Sequence, residues 1–472
     1  VSARKTATGP ASGVRRCFSP RRSAFAFVTV AVCAAGIVSV AASRNRFPRP
    51  EFQSDYTQPE TTFPAVRPEL LSYLDVAVLV VALTLAAFLA LRARSRRALV
   101  GLTVASVAYF GFYRMGCICP VGAIQNIALG LFDSTFAVPL TVAIFFGLPL
   151  LFALFFGRVF CSSVCPLGAL QELVIVKPVK VHPLLASILG LLPHLYLGAA
   201  VLFAVTGAGY IICRFDPFIG FFRRSASAGM ILWGLSVVAL GLFVARPYCR
   251  FLCPLGVVLG WASRLSKWHV TISPDECVNC RLCEDSCPVG AIRTPTTSSP
   301  AESRTRSVRR LLLHGALLPA WLLVGAFAGS QASGVLSLAH HRVRLAERVL
   351  REEKGAADSL SVESRAFRSD TTPVPALIEQ AQHIRRTMNT GAMLVGMYLG
   401  GVIGVTLLGL SLQRKRTVYT PDPRTCVSCG RCFRFCPHES RRRTKDASPG
   451  SPARNSSTAV SVESSDEERN ES

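Results

Sequence analysis

Apolar residues along this chain gather in long unbroken blocks instead of recurring at every third or fourth position. A helix needs about 20 apolar residues to cross a hydrocarbon layer, so blocks of that length predict membrane spans and not the amphipathic helices of a soluble domain. Eight are read, from about Ala24 to Ala42, Leu71 to Leu91, Ala98 to Met115, Thr135 to Phe156, Leu184 to Gly207, Gly229 to Ala245, Leu311 to Gly329 and Gly391 to Ser411. They divide the chain into a basic N-terminus (1–23), two helices with an outer loop (24–97) and a four-helix core (98–265). A Cys-rich segment (266–300), a helix (311–329), an outer helical segment (330–390), a last helix (391–411) and a second Cys-rich segment (412–443) follow. The tail, 444–472, is rich in Ser and Glu, a composition that favours disorder.

Composition agrees with a membrane protein: 50% of residues are hydrophobic and only 17% charged. A net charge of +24 would invite a nucleic-acid reading, but Lys and Arg concentrate on alternate loops. These are 1–23, Arg92 to Arg97, 157–183, Arg246 to Arg310 and 412–472. By the positive-inside rule they face the cytoplasm, which places both termini and both Cys-rich segments inside a bacterial inner (plasma) membrane, with lipid and not nucleic acid as the partner. The first block, preceded by Arg15, Arg16, Arg21 and Arg22, reads as an anchor or as a cleaved signal peptide, and either leaves Arg44 outside.

The 17 cysteines carry the chemistry. Four stand as Cys277-x2-Cys280-x2-Cys283-x3-Cys287-Pro288 and four as Cys426-x2-Cys429-x2-Cys432-x3-Cys436-Pro437. The close spacings put three thiolates on one tight loop, and the fourth is displaced by a short helical turn, as a cubane cluster requires. Zinc sites pair separate Cys-x2-Cys units, and cytoplasmic thiols do not form a disulfide framework, so both alternatives fit less well. The spacing resembles that of two-cluster bacterial ferredoxins, in which the fourth Cys ligates the other cluster. Carried over, one [4Fe-4S] cluster takes Cys277, Cys280, Cys283 and Cys436, and the other Cys426, Cys429, Cys432 and Cys287. Short β-prone stretches at Trp268 to Ile272 and Thr417 to Thr420 precede the motifs. The fold class expected is an all-α polytopic membrane core of about eight helices with a small α+β ferredoxin-like module.

A second set of cysteines lies at the ends of the middle spans. Phe155 to Gly168 (FFGRVFCSSVCPLG) and Phe243 to Gly256 (FVARPYCRFLCPLG) match at an offset of 88 residues in the Phe, the Arg, both Cys and the Pro-Leu-Gly. A shortened copy, Cys117-x-Cys119-Pro120-Val121-Gly122, makes the core internally repetitive, a common way to build a membrane protein. Cys-x3-Cys-Pro repeats followed by ferredoxin motifs resemble the membrane-bound polyferredoxins of the NapH/NosR type. The resemblance covers about residues 98–290 and the second motif, and it implies electron delivery from a cytoplasmic or quinol donor toward a periplasmic or membrane reductase. Cys-x-Cys in the first copy departs from that pattern, as do residues 330–390, which have no counterpart in it.

On the topology above Cys161, Cys165, Cys249 and Cys253 fall inside, and Cys117, Cys119 and Cys213 outside. The inner four are candidates for a further metal or redox centre, and the outer three for a second station near the far face. The competing reading makes them structural thiols, with Cys119 and Cys213 disulfide-bonded. Gly396, Gly400 and Gly404 predict close helix packing. His182, His194, His314, His340 and His341 read as interfacial, Asp216 as part of an outer turn, and Asp75 as reaching water. The expected role is an electron-transfer subunit with redox partner proteins and no substrate of its own. An assembly factor supplying reducing equivalents to a periplasmic metalloenzyme, or a redox sensor, is the alternative.

Overall fold

The computed structural model describes residues 68–116, 119–134, 136–272, 277–296, 304–355, 361–369, 373–411, 416 and 418–438. The expected first span, the basic N-terminus, Cys117 and the tail 444–472 lie outside the described residues. The chain is mostly helical. Four helical stretches are long and apolar enough to cross a membrane: Leu70–Arg92, Pro183–Val205, Ser307–Ser337 and Val374–Gly409. They make this a membrane-associated protein. Four apolar helices are shorter, at 10–17 residues.

In chain order, α1 (Glu69–Ala87) runs into a π-helical turn, and α2 (Arg96–Ser106) into another at Val107–Tyr113. The short α3 (Pro120–Phe132) precedes α4 (Leu140–Phe156). After a π-helical turn at Phe160–Val164 come α5 (Pro166–Val174), α6 (Pro183–Leu189), α7 (Leu192–Val205), α8 (Ile211–Phe215), α9 (Pro217–Arg223) and α10 (Ala228–Phe243). Then α11 (Pro247–Phe251) and α12 (Pro254–Ser263) close the core. The main apolar cluster joins α1 to α5 and α7 to α12 around Leu83, Val121, Leu167, Ile212 and Leu259. The expected four-helix core thus contains interleaved short helices that sequence blocks did not separate. Three of them, α3, α5 and α12, open on a Cys followed by Pro at the first helical position. Proline there needs no N–H donor and has its φ already set for a helix, so each Cys-Pro is a helix start.

The first Cys-rich segment contributes α13 (Leu282–Ser286) and β1 (Ile292–Arg293), and the second β2 (Thr420–Pro421) and α18 (Arg431–Phe435). β1 and β2 pair antiparallel, Ile292 opposite Pro421 and Arg293 opposite Thr420. One strand therefore follows the first motif, and Trp268–Ile272, expected to be β-prone, is no strand. Trp268 donates its amide to the Phe155 carbonyl at 2.8 Å and stacks on Phe156 instead.

Between the two motifs stands a hairpin of two long helices, α14 (Arg304–Ser337) and α17 (Val374–Ser411), joined through α15 (His341–Glu353) and α16 (Val362–Arg368). Both outrun the blocks 311–329 and 391–411, and they absorb both ends of the segment expected at 330–390. As the glycine spacing predicts, the backbones touch: a Cβ on Gly325 would strike the Gly396 carbonyl, and one on Gly400 the Trp321 carbonyl. The outer face of α14 is unburied and apolar, with Leu312, Leu323, Phe327 and Val335 exposed as lipid contact requires. Asp75, expected to reach water, is fully buried; it pairs with Arg114 at 2.9 Å and accepts from the Tyr109 hydroxyl at 2.8 Å.

Candidate functional site

The two ferredoxin-type loops share one backbone design. Asn279 and Arg281 in the first and Ser428 and Gly430 in the second, flanking the second Cys of each motif, take the left-handed conformation. Alternating backbone hands turn successive N–H groups inward, which suits an anionic group held by thiolates. Loop position then brings distant cysteines together. Cys277, Cys280, Cys283, Cys432 and Cys436 line one cavity, floored by Phe433 and Tyr419. Cys287 lies among Cys426, Cys429 and Cys432, the last of which also borders that cavity, and is close enough to raise the thiols of Cys426 and Cys432 after burial and their own neighbours have done so. Each fourth Cys thus stands with the other motif's first three. The Ala291 amide donates to Cys287 Sγ at 3.3 Å, the kind of contact that tunes a cluster. Among the described residues no three His, Cys, Asp or Glu side chains converge on a point fit for a single ion. Five of the ferredoxin-type thiols instead border one shared space.

The buried thiols of the core form a second assembly. Cys165 and Cys253 are the residues before α5 and α12, and Cys161 and Cys249 approach them from the preceding turns. Burial raises the Cys165 thiol well above its ordinary range, and Cys249, Cys161 and Cys119 add to the shift. Burial likewise pushes Cys249 up to about 11 against the pull of the Arg246 and Arg158 guanidinium groups. Thiols so shifted stay protonated at neutral pH unless a cationic centre takes the proton's place. Gln171 donates to Cys249 Sγ at 3.2 Å and to the Leu167 carbonyl, while its Oε1 accepts from the Tyr248 amide at 3.1 Å.

The shortened first copy is built alike. Gln125, at the position of Gln171, accepts from the Ile212 amide at 3.0 Å, so Ile212-Cys213 stands to the first copy as Tyr248-Cys249 stands to the second. The shared Cys-Arg-Phe at Cys213 and Cys249 was the available signal. Asp216 then occupies the place of a second cysteine. It is no outer turn: 1% exposed, it accepts from the Phe218 amide at 2.9 Å and the Tyr248 hydroxyl at 2.7 Å. Burial pushes Cys119 up to about 12, with Asp216 and Cys213 contributing.

Placement on opposite membrane faces is therefore corrected. Tyr248, beside Cys249, donates to Asp216, three residues after Cys213, and a Cβ on Gly122, three residues after Cys119, would meet Cys213 Sγ at 3.3 Å, so the described thiols of the two sets share one core and are not stations a bilayer apart. Half-length helices beginning at Cys-Pro converge in the interior, which counting full spans does not anticipate.

Sequence reasoning also missed Glu172. Its carboxylate, 1% exposed, receives Arg246 Nε at 3.0 Å, Arg431 Nη2 at 2.8 Å, and Arg96 Nη2. Burial alone would raise this carboxyl, but Arg431, Arg246 and Arg96 outweigh it and hold it well below the usual carboxylate range. Arg96 also donates to the Cys429 carbonyl at 2.8 Å. Glu172 thereby ties the second ferredoxin-type loop to α2, α5 and the second Cys-x3-Cys-Pro copy.

Two families, each described as a 4Fe-4S binding domain, match the chain, one over residues 138–181 and 226–273 and the other over 270–293. Among curated proteins the chain is similar to NirI of Paracoccus denitrificans, with 35% identity over 28% of this chain and 21% of that protein. The putative electron transport protein YccM of Escherichia coli is 27% identical over 28% of this chain and 41% of its own length. The regulatory protein NosR of Stutzerimonas stutzeri is 27% identical over 41% of this chain and 29% of its own. The chain thus spans well under half of each of these relatives. No solved structure matches. The matched segments are iron-sulfur binding domains, and the expected kinship with 4Fe-4S proteins of the NapH/NosR type is borne out.

Proposed function

We propose, from the premise of a 4Fe-4S protein of the NapH/NosR type, that this chain is a multi-pass electron-transfer protein of a bacterial inner membrane, with about eight spans. Residues 266–300 and 412–443 form its cytoplasmic two-cluster module on a core at 98–265. It passes electrons from a cytoplasmic or quinol donor toward a periplasmic or membrane reductase. The observation that carries the reading is the crossing of the motifs: Cys436 lines the cavity of Cys277, Cys280 and Cys283, and Cys287 stands with Cys426, Cys429 and Cys432. Bound there, [4Fe-4S] clusters would supply one-electron chemistry. The residues around them do the positioning. The left-handed loop residues aim N–H groups, Ala291 donates to Cys287, and Glu172 with its three arginines holds the module on the core. From the module the cysteine sets continue inward, since Arg246 lies within electrostatic reach of both Cys429 and Cys249, and Cys165 of Cys119. Cys161, Cys165, Cys249 and Cys253, with Cys119 and Cys213 beyond, are proposed as a further metal or redox centre on that line.

Iron and acid-labile sulfide per chain, measured on anaerobically purified protein with EPR of the dithionite-reduced state, test this. Two cubanes' worth of iron with interacting signals is expected; iron beyond that assigns a centre to the core thiols. Zinc in place of iron overturns the reading. A second reading, a membrane redox sensor, draws on the regulatory name of the NosR relatives; a downstream output that follows the redox state of the clusters would favour it.

A further inference from the structure

The two Cys-x3-Cys-Pro copies carry the same arginine but do not give it the same partner. Arg246, from the later copy, reaches across the earlier one: its Nη2 donates to the Ser162 carbonyl at 3.0 Å, and a Cβ on Gly168 would meet its Nη1 at 3.5 Å. Arg158, from the earlier copy, makes the reciprocal reach, and a Cβ on Gly256 would meet its Nη2 at 3.1 Å. Arg246 ends on the Glu172 carboxylate at 3.0 Å. At the same offset of 88 residues the later copy has Gly260 where the earlier has Glu172. No carboxylate meets Arg158 there.

What Arg158 finds instead is incomplete. It is 8% exposed, donates to the Arg424 carbonyl at 3.0 Å and lies 3.8 Å from Cys161 Sγ, while its buried Nε has no partner. Next to it opens a cavity of about 290 Å³ lined by Arg158, Arg246, Arg250, Arg424, Ser187 and His194 and by two of the core thiols, Cys249 and Cys253, with no Asp or Glu. Among the described residues only Arg246 of these four arginines makes an ion pair. Arg158 and Arg246 are buried and Arg250 and Arg424 half-buried; guanidinium groups so gathered with one carboxylate among them are costly, and their planar forks match the oxyanions of phosphate. At a share of roughly 30 Å³ per water molecule, the space holds a phosphate and its first waters.

We propose that this cavity binds a phosphate-class oxyanion, either inorganic phosphate or the headgroup of an anionic lipid, in the position that the missing carboxylate would fill. Arg158 and Arg424 grip it from one wall and Arg250 from another. Ser187 and His194 belong to the apolar stretch Pro183–Val205, so the cavity borders a membrane-crossing helix, where a headgroup would be at hand.

The test uses the full-length, cluster-loaded protein in nanodiscs of phosphatidylcholine alone, titrated with inorganic phosphate at constant ionic strength and compared with chloride by calorimetry and thermal midpoint. Saturable phosphate binding is expected, weakened about tenfold or more in Arg158→Gln, because hydrogen bonds to a charged group are lost. If the headgroup is the natural occupant, nanodiscs containing phosphatidylglycerol show the raised midpoint already and added phosphate does nothing; equal phosphate binding in both discs assigns the free ion. Gly260→Glu supplies the missing carboxylate and should abolish phosphate binding; if that variant fails to fold, Arg250→Gln and Arg424→Gln each weaken binding in its place. Absence of any phosphate effect over chloride in either disc overturns the proposal. So does an Arg158→Gln variant that binds phosphate like the parent and shifts only the cluster potentials, since the arginine would then be a counter-charge to the clusters.

Discussion

Replacing Glu172 by Gln removes the single negative charge on which Arg96, Arg246 and Arg431 converge. Each charge-assisted hydrogen bond is worth about 1.5–3 kcal/mol, but the loss is not their sum. The Arg96 and Arg431 side chains, 12% and 16% exposed, retain some access to water, whereas Arg246 at 1% has none. Most of the penalty comes from that one stranded buried cation, and breaking a buried pair from one side costs about 3–5 kcal/mol. At roughly 2–4 °C per kcal/mol for a unit of 150–250 residues, tryptophan-monitored melting in detergent should fall by about 10 °C. Proteolysis within 418–438 should accelerate in parallel, because Arg431 anchors that loop. Adding Arg246→Met removes the stranded charge and should recover part of the loss, as apolar replacement of buried pairs does. The sign of the pH dependence follows from the depressed carboxyl. Its stabilisation is complete above the unfolded carboxylate pKa of about 4.3 and is lost only as pH falls through the lower folded value, so this contact should survive mild acid. A Glu172→Gln midpoint within about 1 °C of the parent, or a double variant no better than the single, would refute the account of a buried tie.

Crossed ligation predicts that Cys287→Ser disturbs the EPR signal of the cluster assigned to Cys426, Cys429 and Cys432, and that Cys436→Ser disturbs the other; a loss confined to each residue's own motif would contradict the pairing. If the core thiols hold a centre, Cys161→Ser with Cys249→Ser should lower metal content below the parent's while both ferredoxin-type signals persist. Unchanged metal content would leave those thiols structural. Gly325→Leu places a side chain against the Gly396 backbone and should separate α14 from α17, detectable as faster hydrogen exchange along both helices; parental exchange rates would show that the close approach is dispensable.

Local features were legible before folding. Hydrophobic blocks marked the long helices because crossing lipid demands length and apolarity of each segment by itself. Cys-x2-Cys-x2-Cys-x3-Cys-Pro and the Cys-Pro repeats were equally plain, since each depends on a few consecutive residues. Glycines at every fourth position announced a close helix contact for the same reason, though not that α14 is the partner. Where a property required distant segments to meet, the order of residues was silent or misleading. Glu172 carries no signal in its own stretch of sequence; three arginines from three parts of the chain close on it. Asp216 looked like an outer turn residue, but its turn, closed on the Phe218 amide, is buried against Tyr248. Counting full spans sent Cys119 and Cys165 to opposite faces, whereas helices that start at Cys-Pro in the interior bring them together. Residue order marked the candidate side chains; the short helices, by ending within the core, decided which of them became neighbours. The reason is that hydropathy reports the length of a segment in lipid, while thiol-to-thiol proximity depends on how segments of unequal length pack against one another.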